Sequence, residues 1–379
     1  MEKKVLSSII LLTLLSSGLF SCKNDKKINY GNLFFSEIYA GEHGEDYALE
    51  IGSKEEKIDF SGYKINFYSS KDLAKTLDLS DFSASSSAFV FINKDFNETD
   101  FTFKDFYRLD DNYIYGSYCV ELINQDNDVV DSLGYKGYNT SYLKKGSLIR
   151  LKESQTPSGS FDKLNYIRTY KSEHKYLGNL NVPLSKDELL EGPKIASNYL
   201  SLPFNDGNAP KGGFVSVTVS SLGDGDTTFF KFPKDSGLNS GNSVRYLLID
   251  TPEVDHGPNS FIKEEPWGVQ AKNFNNEKLS KAKHIMVQSN LGFSLNETYG
   301  RYLGYIWYSS SDDALDYSSY RLLNFEMVKE GLAKFSTYDE YETMISNDIL
   351  YYDYLNYANL LAEKNKIKIH GEKDPNFNY

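Results

Sequence analysis

The sequence predicts a mainly β protein built from more than one domain, and three observations carry that reading. The chain has 379 residues, beyond the size of one typical domain. Its first half consists of short runs that alternate apolar and polar residues between turn signals, with no long helical pattern. Aromatic residues make up 15%, with 30 Tyr and 24 Phe, ring surface suited to β-rich cores. Hydrophobic residues at 40% and charged residues at 25% mark an ordinary globular balance, not a disordered chain.

Lys3 and Lys4 precede an apolar or small stretch over residues 5–20. That stretch has the length of a secretory leader and is short for a membrane span. It closes on Leu19-Phe20-Ser21-Cys22, which resembles a bacterial lipobox, and a polar tether over 23–29 follows. The resemblance implies cleavage before Cys22, lipidation of its thiol, and a protein held on the outer face of the cell membrane. A plain leader or an uncleaved anchor is the alternative. With Cys22 acylated, Cys119 is the one thiol left, so no internal disulfide forms. Two cysteines also exclude a disulfide-dense scaffold and a four-cysteine zinc site.

Over residues 30–181 the expected strands are 33–39, 47–51, 63–68, 89–92, 119–123 and 129–132, an all-β sandwich pattern. Glu37 and Glu50 are expected as polar positions on half-exposed strands, in preference to a carboxylate pair or metal site. Phe35-Ser36-Glu37-Ile38, Tyr47-Ala48-Leu49-Glu50-Ile51 and Asp59-Phe60-Ser61-Gly62-Tyr63 stand in that order. Val120-Glu121-Leu122, Val129-Val130-Asp131-Ser132, Leu148-Ile149-Arg150 and Gly178-Asn179 follow. In this order the pieces resemble a lamin-tail domain, which implies an immunoglobulin-like β-sandwich used as an accessory module.

Residues 182–212 carry four prolines and read as a linker with one short helical piece near 186–191. From residue 213 the pattern changes. Residues 215–219 alternate as a strand and lead through Gly223-Asp224-Gly225-Asp226-Thr227 into a strand at 228–232. By itself Asp-Gly between β runs is a hairpin turn. Residues 244–249 form an apolar strand after its single Arg245, running into Asp250-Thr251-Pro252-Glu253. That end is either a plain Pro turn or an oxygen-rich corner for a hard cation. Tyr299-Gly300-Arg301 opens the strand 302–308.

Taken together these pieces supply phosphodiester chemistry. Asp226 and Asp250 offer carboxylate oxygens to a metal, Glu253 can accept a proton, and Arg245 and Arg301 can fork onto phosphate. Five histidines without ligand spacing argue against a zinc or triad hydrolase. The loop Asp224-Gly225-Asp226-Thr227, the run from Arg245 to Asp250-Thr251-Pro252-Glu253, and Tyr299-Gly300-Arg301 resemble the staphylococcal nuclease family over residues 213–371. Pro266-Trp267-Gly268, Asn324-Phe325-Glu326 and Gly331-Leu332-Ala333 flank them as supporting matches. The resemblance implies an OB-fold barrel of five strands with three helices over 213–379. It implies Ca²⁺ held by Asp226, Asp250 and the Thr251 carbonyl, Glu253 as general base, and Arg245 and Arg301 on the transferring phosphate. DNA and RNA are the implied substrates, cut to 3′-phosphates.

The formal charge of −12 rules out broad non-specific attraction for a polyanion. From residue 213 onward 23 acidic residues face 16 basic ones, so binding is expected to depend on divalent cation and salt. Thr337 and Tyr338 occupy the region of the family's nucleotide-pocket aromatic, and no base-stacking residue is assigned. A non-catalytic nucleic-acid-binding or adhesive surface lipoprotein is the competing function.

Overall fold

The computed structural model describes residues 28–379 apart from 42, 43, 45, 98–100, 102, 139, 140, 171–175, 181–183, 208, 240, 241, 256, 258–260, 293 and 337–342. Cys22 and its lipobox, and Thr337 and Tyr338, therefore lie outside the described residues. The chain is mainly β, with several sheets and few helices. Among the described residues no helix is long and apolar enough to cross a membrane.

Among the described residues the first half contributes ten strands: β1 Leu33–Ala40, β2 Tyr47–Ser53, β3 Lys64–Ser69, β4 Asp72–Asp78, β5 Ala88–Ile92, β6 Phe106–Arg108, β7 Val120–Ile123, β8 Val129–Leu133, β9 Gly146–Arg150 and β10 Tyr166–Thr169. They form a six-stranded sheet in the order β10-β9-β1-β2-β5-β6 and a four-stranded sheet in the order β4-β3-β7-β8. Alternation in each strand sends one apolar row inward. Phe35, Ile38, Leu49, Ile51 and Phe91 of the larger sheet meet Ile65, Phe67, Val120, Leu122 and Val130 of the smaller one in a single core. A buried Arg150–Asp131 pair ties β9 to β8, and Asp131 also accepts from the Phe35 N–H at 2.8 Å. Cys119 is buried, and desolvation pushes its thiol up to about 12, which leaves it unreactive.

Glu37 and Glu50 overturn the half-exposed expectation, because each is only 1% exposed. They face each other across the β1–β2 register, on the sheet side whose other apolar residues are Tyr39, Ala48, Val90 and Ile92. Leu177 and Phe96 pack over that side, a cover that strand alternation alone does not reveal. Glu50 accepts hydrogen bonds from the Ser36 hydroxyl at 2.6 Å and the Gly178 N–H at 2.5 Å, and Ser147 donates to Glu37. Burial raises both carboxyl pKa values, Glu50 to about 7, and the neighbouring Glu50 charge raises Glu37 further. A raised carboxyl favours the folded state when protonated. Its contribution is full below the unfolded value of about 4.5 and is lost as pH rises through about 7. Glu50→Gln is expected to flatten this decline, read as the melting temperature across that window. A parallel, merely shifted profile would place the pH response elsewhere.

Residues 182–212 hold more structure than a linker. They contain α1 Lys186–Leu190, which has a Ser185–Glu188 capping box, and α2 Ser197–Leu200. Leu189, Tyr199 and Phe204 are buried in the core of the C-terminal half. The seven-stranded sheet there runs in the order Phe214–Ser216, His284–Gln288, Tyr302–Ser309, Ser243–Tyr246, Thr227–Lys231, Thr218–Leu222, with Arg321–Leu322 added on Tyr302–Ser309. Three helices pack with it: α3 Gly268–Lys281, α4 Leu323–Lys329 and α5 Tyr351–Lys364.

Two strands expected as single runs are split. The stretch 215–219 divides between Phe214–Ser216 and Thr218–Leu222, because the buried Val217 donates to the Ile285 carbonyl and the chain then changes partner strand. The apolar run 244–249 breaks after Tyr246. Leu248 adopts φ 63°, and Ile249–Asp250 then pairs with Lys334–Phe335 instead. The two halves meet along β10 and α5. Arg168 binds Asp353 at 2.9 Å, Lys364 binds Asp162 at 2.9 Å, and the Tyr170 N–H donates to the Asp348 carbonyl at 2.7 Å.

Candidate active site

Three strands and one turn converge on the site. Thr227–Lys231 pairs with Ser243–Tyr246 so that Thr227 lies opposite Arg245, and Arg245 in turn lies beside Leu303 of Tyr302–Ser309. The left-handed turn at Leu248 then redirects the chain and delivers Asp250 next to its own Arg245. The loop before Thr227 closes tightly. A Cβ on Gly225 would meet Thr251 at 2.8 Å and Ala271 at 2.9 Å, so only glycine lets this loop approach α3. Asn275, fully buried on α3, locks the same loop. Its amide donates to the Asp224 carbonyl at 3.0 Å and to the Thr228 hydroxyl at 3.1 Å, and it accepts from the Tyr246 hydroxyl at 2.9 Å.

The result is a cavity of about 580 Å³ lined by Asp224, Arg245, Asp250, Glu253, Glu297 and Arg301, with Leu247, Leu248, Ile262 and Leu303 as its apolar side. Asp226 sits behind that lining, 1% exposed, ion-paired to Arg245. The other end of the Arg245 guanidinium donates to Asp250 at 2.6 Å and to the Ile249 carbonyl at 3.2 Å. Thr251 is buried, and its N–H donates to Asp226 at 2.8 Å. Arg301 is gripped by Glu297 through two nitrogens, one bond at 3.0 Å, and reaches the Thr227 hydroxyl at 3.3 Å. Glu253 is fixed through its backbone: Glu265 accepts from the Glu253 N–H at 3.2 Å, and the Glu265 N–H donates to the Glu253 carbonyl at 2.9 Å.

Burial pushes the Asp226 carboxyl up to about 7, and the charges of Asp224 and Asp250 add to the rise. Arg245 and the Thr251 N–H pull the other way without cancelling it. Glu297 raises the Arg301 pKa further, so that guanidinium stays charged. Five carboxylates thus surround two guanidinium groups around a space sized for a small ligand. Such a surplus of negative charge repels phosphate unless a cation enters. Among the described residues no three His, Cys, Asp or Glu side chains converge into a ready-made cage. The donor set nevertheless fits a hard divalent ion. Asp226 and Asp250 are the carboxylates Arg245 now bridges, and the buried Asp224 Oδ1 has no hydrogen-bond partner.

The six residues singled out from the sequence occupy one neighbourhood: Arg245, Asp250, Glu253 and Arg301 on the cavity, Asp226 and Thr251 buried behind it. Sequence reasoning passed over Asp224 and Glu297. Glu297 meets Arg301 across a turn closed by the Gly300 N–H on the Glu297 carbonyl, a pairing that no local pattern announces. Asp312 and Asp313 are exposed, with Asp312 bound to Lys283, and Asp316 is half-buried beside them.

Residues 243–369 match the family model described as staphylococcal nuclease homologue. The match starts at Ser243, so the Asp224–Thr227 loop lies upstream of it and joins the site through strand pairing, the Asp226–Arg245 ion pair and the hold of Asn275. Three curated proteins are similar to part of the chain. Endonuclease YncB of Bacillus subtilis (strain 168) is 31% identical over 122 residues, covering 32% of this chain and 47% of that protein. The SPbeta prophage-derived endonuclease YokF of the same organism is 32% identical over 120 residues, covering 32% of this chain and 34% of that protein. Uncharacterized protein MJ1439 of Methanocaldococcus jannaschii is 26% identical over 138 residues, or 62% of its length. The chain spans between a third and two thirds of the length of these relatives.

Proposed function

We propose that the protein is a Ca²⁺-dependent nuclease that hydrolyses phosphodiester bonds of DNA and RNA to 3′-phosphate products. The observation that carries this reading is the single cavity where Arg245, Asp250, Glu253 and Arg301 meet from separate chain segments, backed by Asp226. The endonuclease names of two relatives support it. When bound, a divalent cation supplies charge neutralisation and polarises a phosphoryl oxygen; Asp226, Asp250 and the Thr251 carbonyl would hold it, with Asp224 beside them. Glu253 takes the proton of the attacking water. Arg245 and Arg301 meet the phosphate, and each must first loosen from the carboxylates it holds now. The apolar side formed by Leu247, Leu248 and Leu303 excludes water from the reacting group. In this reading residues 213–379 form an OB-type barrel and residues 30–181 a lamin-tail-type sandwich. The parallel pairing of Ser243–Tyr246 with Tyr302–Ser309 and the shared core of the two N-terminal sheets are the features that favour those folds.

Digestion of labelled DNA with Ca²⁺ and again with chelator tests the activity. Cleavage that is lost with chelator and restored by Ca²⁺ is expected, and DNA left intact in both would end the nuclease reading. The lipobox-like Leu19-Phe20-Ser21-Cys22 supports a lipid anchor at Cys22, with the enzyme on the outer face of the cell membrane. Two acyl chains grip a bilayer at about 0.8 kcal/mol per buried CH₂. Cys22→Ser is expected to move the protein out of the detergent phase or to leave its precursor unprocessed. Unchanged partitioning and processing would argue against lipid at that residue.

A further inference from the structure

The segment 371–379 follows α5 and lies beyond the residues that match the family model. Asp374 is its one buried residue, 3% exposed. Its carboxylate is spent on the start of α3. One oxygen accepts from the Trp267 N–H at 2.6 Å, and the other accepts from the Gln270 amide at 2.6 Å and the Asn376 N–H at 2.8 Å. The Trp267 indole N–H donates to the Glu372 carbonyl at 3.2 Å, so backbone and ring of one residue are both held. α3 needs this outside support. Its first turn carries no acidic residue and no side-chain cap. Trp267, just ahead of it, adopts φ 71°, a left-handed conformation that a bulky residue keeps only where its surroundings enforce it. The turn that Asp374 grips bears on Glu253 from both ends. Glu265 holds the Glu253 carbonyl and N–H, and the Gly268 N–H closes the turn on the Glu265 carbonyl at 3.1 Å. Gly268 itself lies so close that a Cβ there would meet the Glu253 carbonyl oxygen at 2.2 Å. The Glu253 side chain lines the nuclease cavity.

We propose that Asp374 is a positioning residue for Glu253: by locking the 265–268 turn against the Glu253 backbone, it sets where the Glu253 carboxylate reaches into the cavity. The inference rests on the reading of Glu253 as the group that takes the proton of the attacking water. A base must stand within hydrogen-bond reach of that proton, and a small displacement lowers the rate steeply. Binding of cation and phosphate depends on other residues. The Asp224–Thr227 loop is secured separately, by Asn275 further along α3. Loss of the Asp374 grip therefore slows the chemical step and spares binding.

Steady-state cleavage of a defined DNA by the full chain, run well below the melting midpoint of each variant, tests it. Asp374→Ala is expected to lower kcat at least about tenfold, with the KM for DNA and the Ca²⁺ requirement within about twofold of the unmodified protein. Asp374→Asn, whose amide oxygen can still accept from the Trp267 N–H, is expected to restore most of that loss. In a Glu253→Gln background, Asp374→Ala is expected to change the residual cleavage by less than about twofold, because residues that act through one group are not additive. Gln270→Ala removes one donor to Asp374 and suits a helix, so it stands in where Asp374→Ala does not fold; the same signature at smaller size is expected. Normal kcat in the folded variants, a loss confined to KM or Ca²⁺ affinity, or the same loss persisting without Glu253 overturns the proposal. An unmodified protein that cuts no DNA removes the nuclease reading and this inference with it. An active protein indifferent to Asp374 removes the inference alone.

Discussion

Arg301→Lys is expected to melt within a degree or two of the unmodified protein and to lose on the order of 10²-fold or more in turnover at saturating Ca²⁺. The stability side follows from its surroundings. Its partner Glu297 stands across a tight turn, the Arg301 side chain is 31% exposed, and such pairs contribute roughly 0–1 kcal/mol. The catalytic side follows from shape. A lysine keeps the charge but not the planar fork, and a phosphate passing through its transition state needs two donors at once. Arg245→Lys should lose turnover similarly and lose more stability, since Arg245 joins Asp226, Asp250 and the Ile249 carbonyl in one span. Single-turnover rates and thermal melts on the same preparations separate the two effects. A folded Arg301→Lys enzyme with near-normal turnover removes Arg301 from the mechanism.

Asp226→Asn is expected to weaken Ca²⁺ binding and cleavage together, the rate by on the order of 10²-fold or more. The amide fills the same buried space and can still accept the Thr251 N–H, so the loop keeps its place. What it lacks is the charge that a cation requires and that Arg245 now neutralises. Calorimetric titration with Ca²⁺, set beside cleavage rates, reads both quantities. Normal cation binding and normal cutting in this variant would take Asp226 out of the metal site.

Most strands were legible because alternation is a local property. Residues 33–39, 63–68 and 129–132 needed only their own pattern to declare an inward row. What stayed hidden depends on partners far along the chain. The break in 244–249 arises because Leu248 turns left-handed to let Asp250 reach Lys334 as a strand partner, and nothing in an apolar run announces that. The burial of Glu37 and Glu50 requires a second layer, Phe96 and Leu177, laid over a sheet face that looks half-exposed by itself. At the site, motif order pointed to Asp226, Arg245, Asp250, Glu253 and Arg301 because polar residues at strand ends are conspicuous. Asp224 was overshadowed by its neighbour in the loop, and the hold of Asn275 on that loop crosses 51 positions.

The seam along β10 and α5 also orders events in time. Arg168 waits 185 positions for Asp353, and Asp162 waits 202 positions for Lys364. A ribosome emits the N-terminal sheets, with their own closed core, long before α5 exists. The N-terminal sheets can therefore condense while the C-terminal half is still being made. Docking of the halves waits until α5 has been made, and contacts of such long sequence range are slow to close. A chain stopped before residue 351 would keep its first core yet present β10 bare, an edge open to pairing with another chain. α5 is thus made long after the first sheets, and it is the element that seals the edge strand of the first domain to fold.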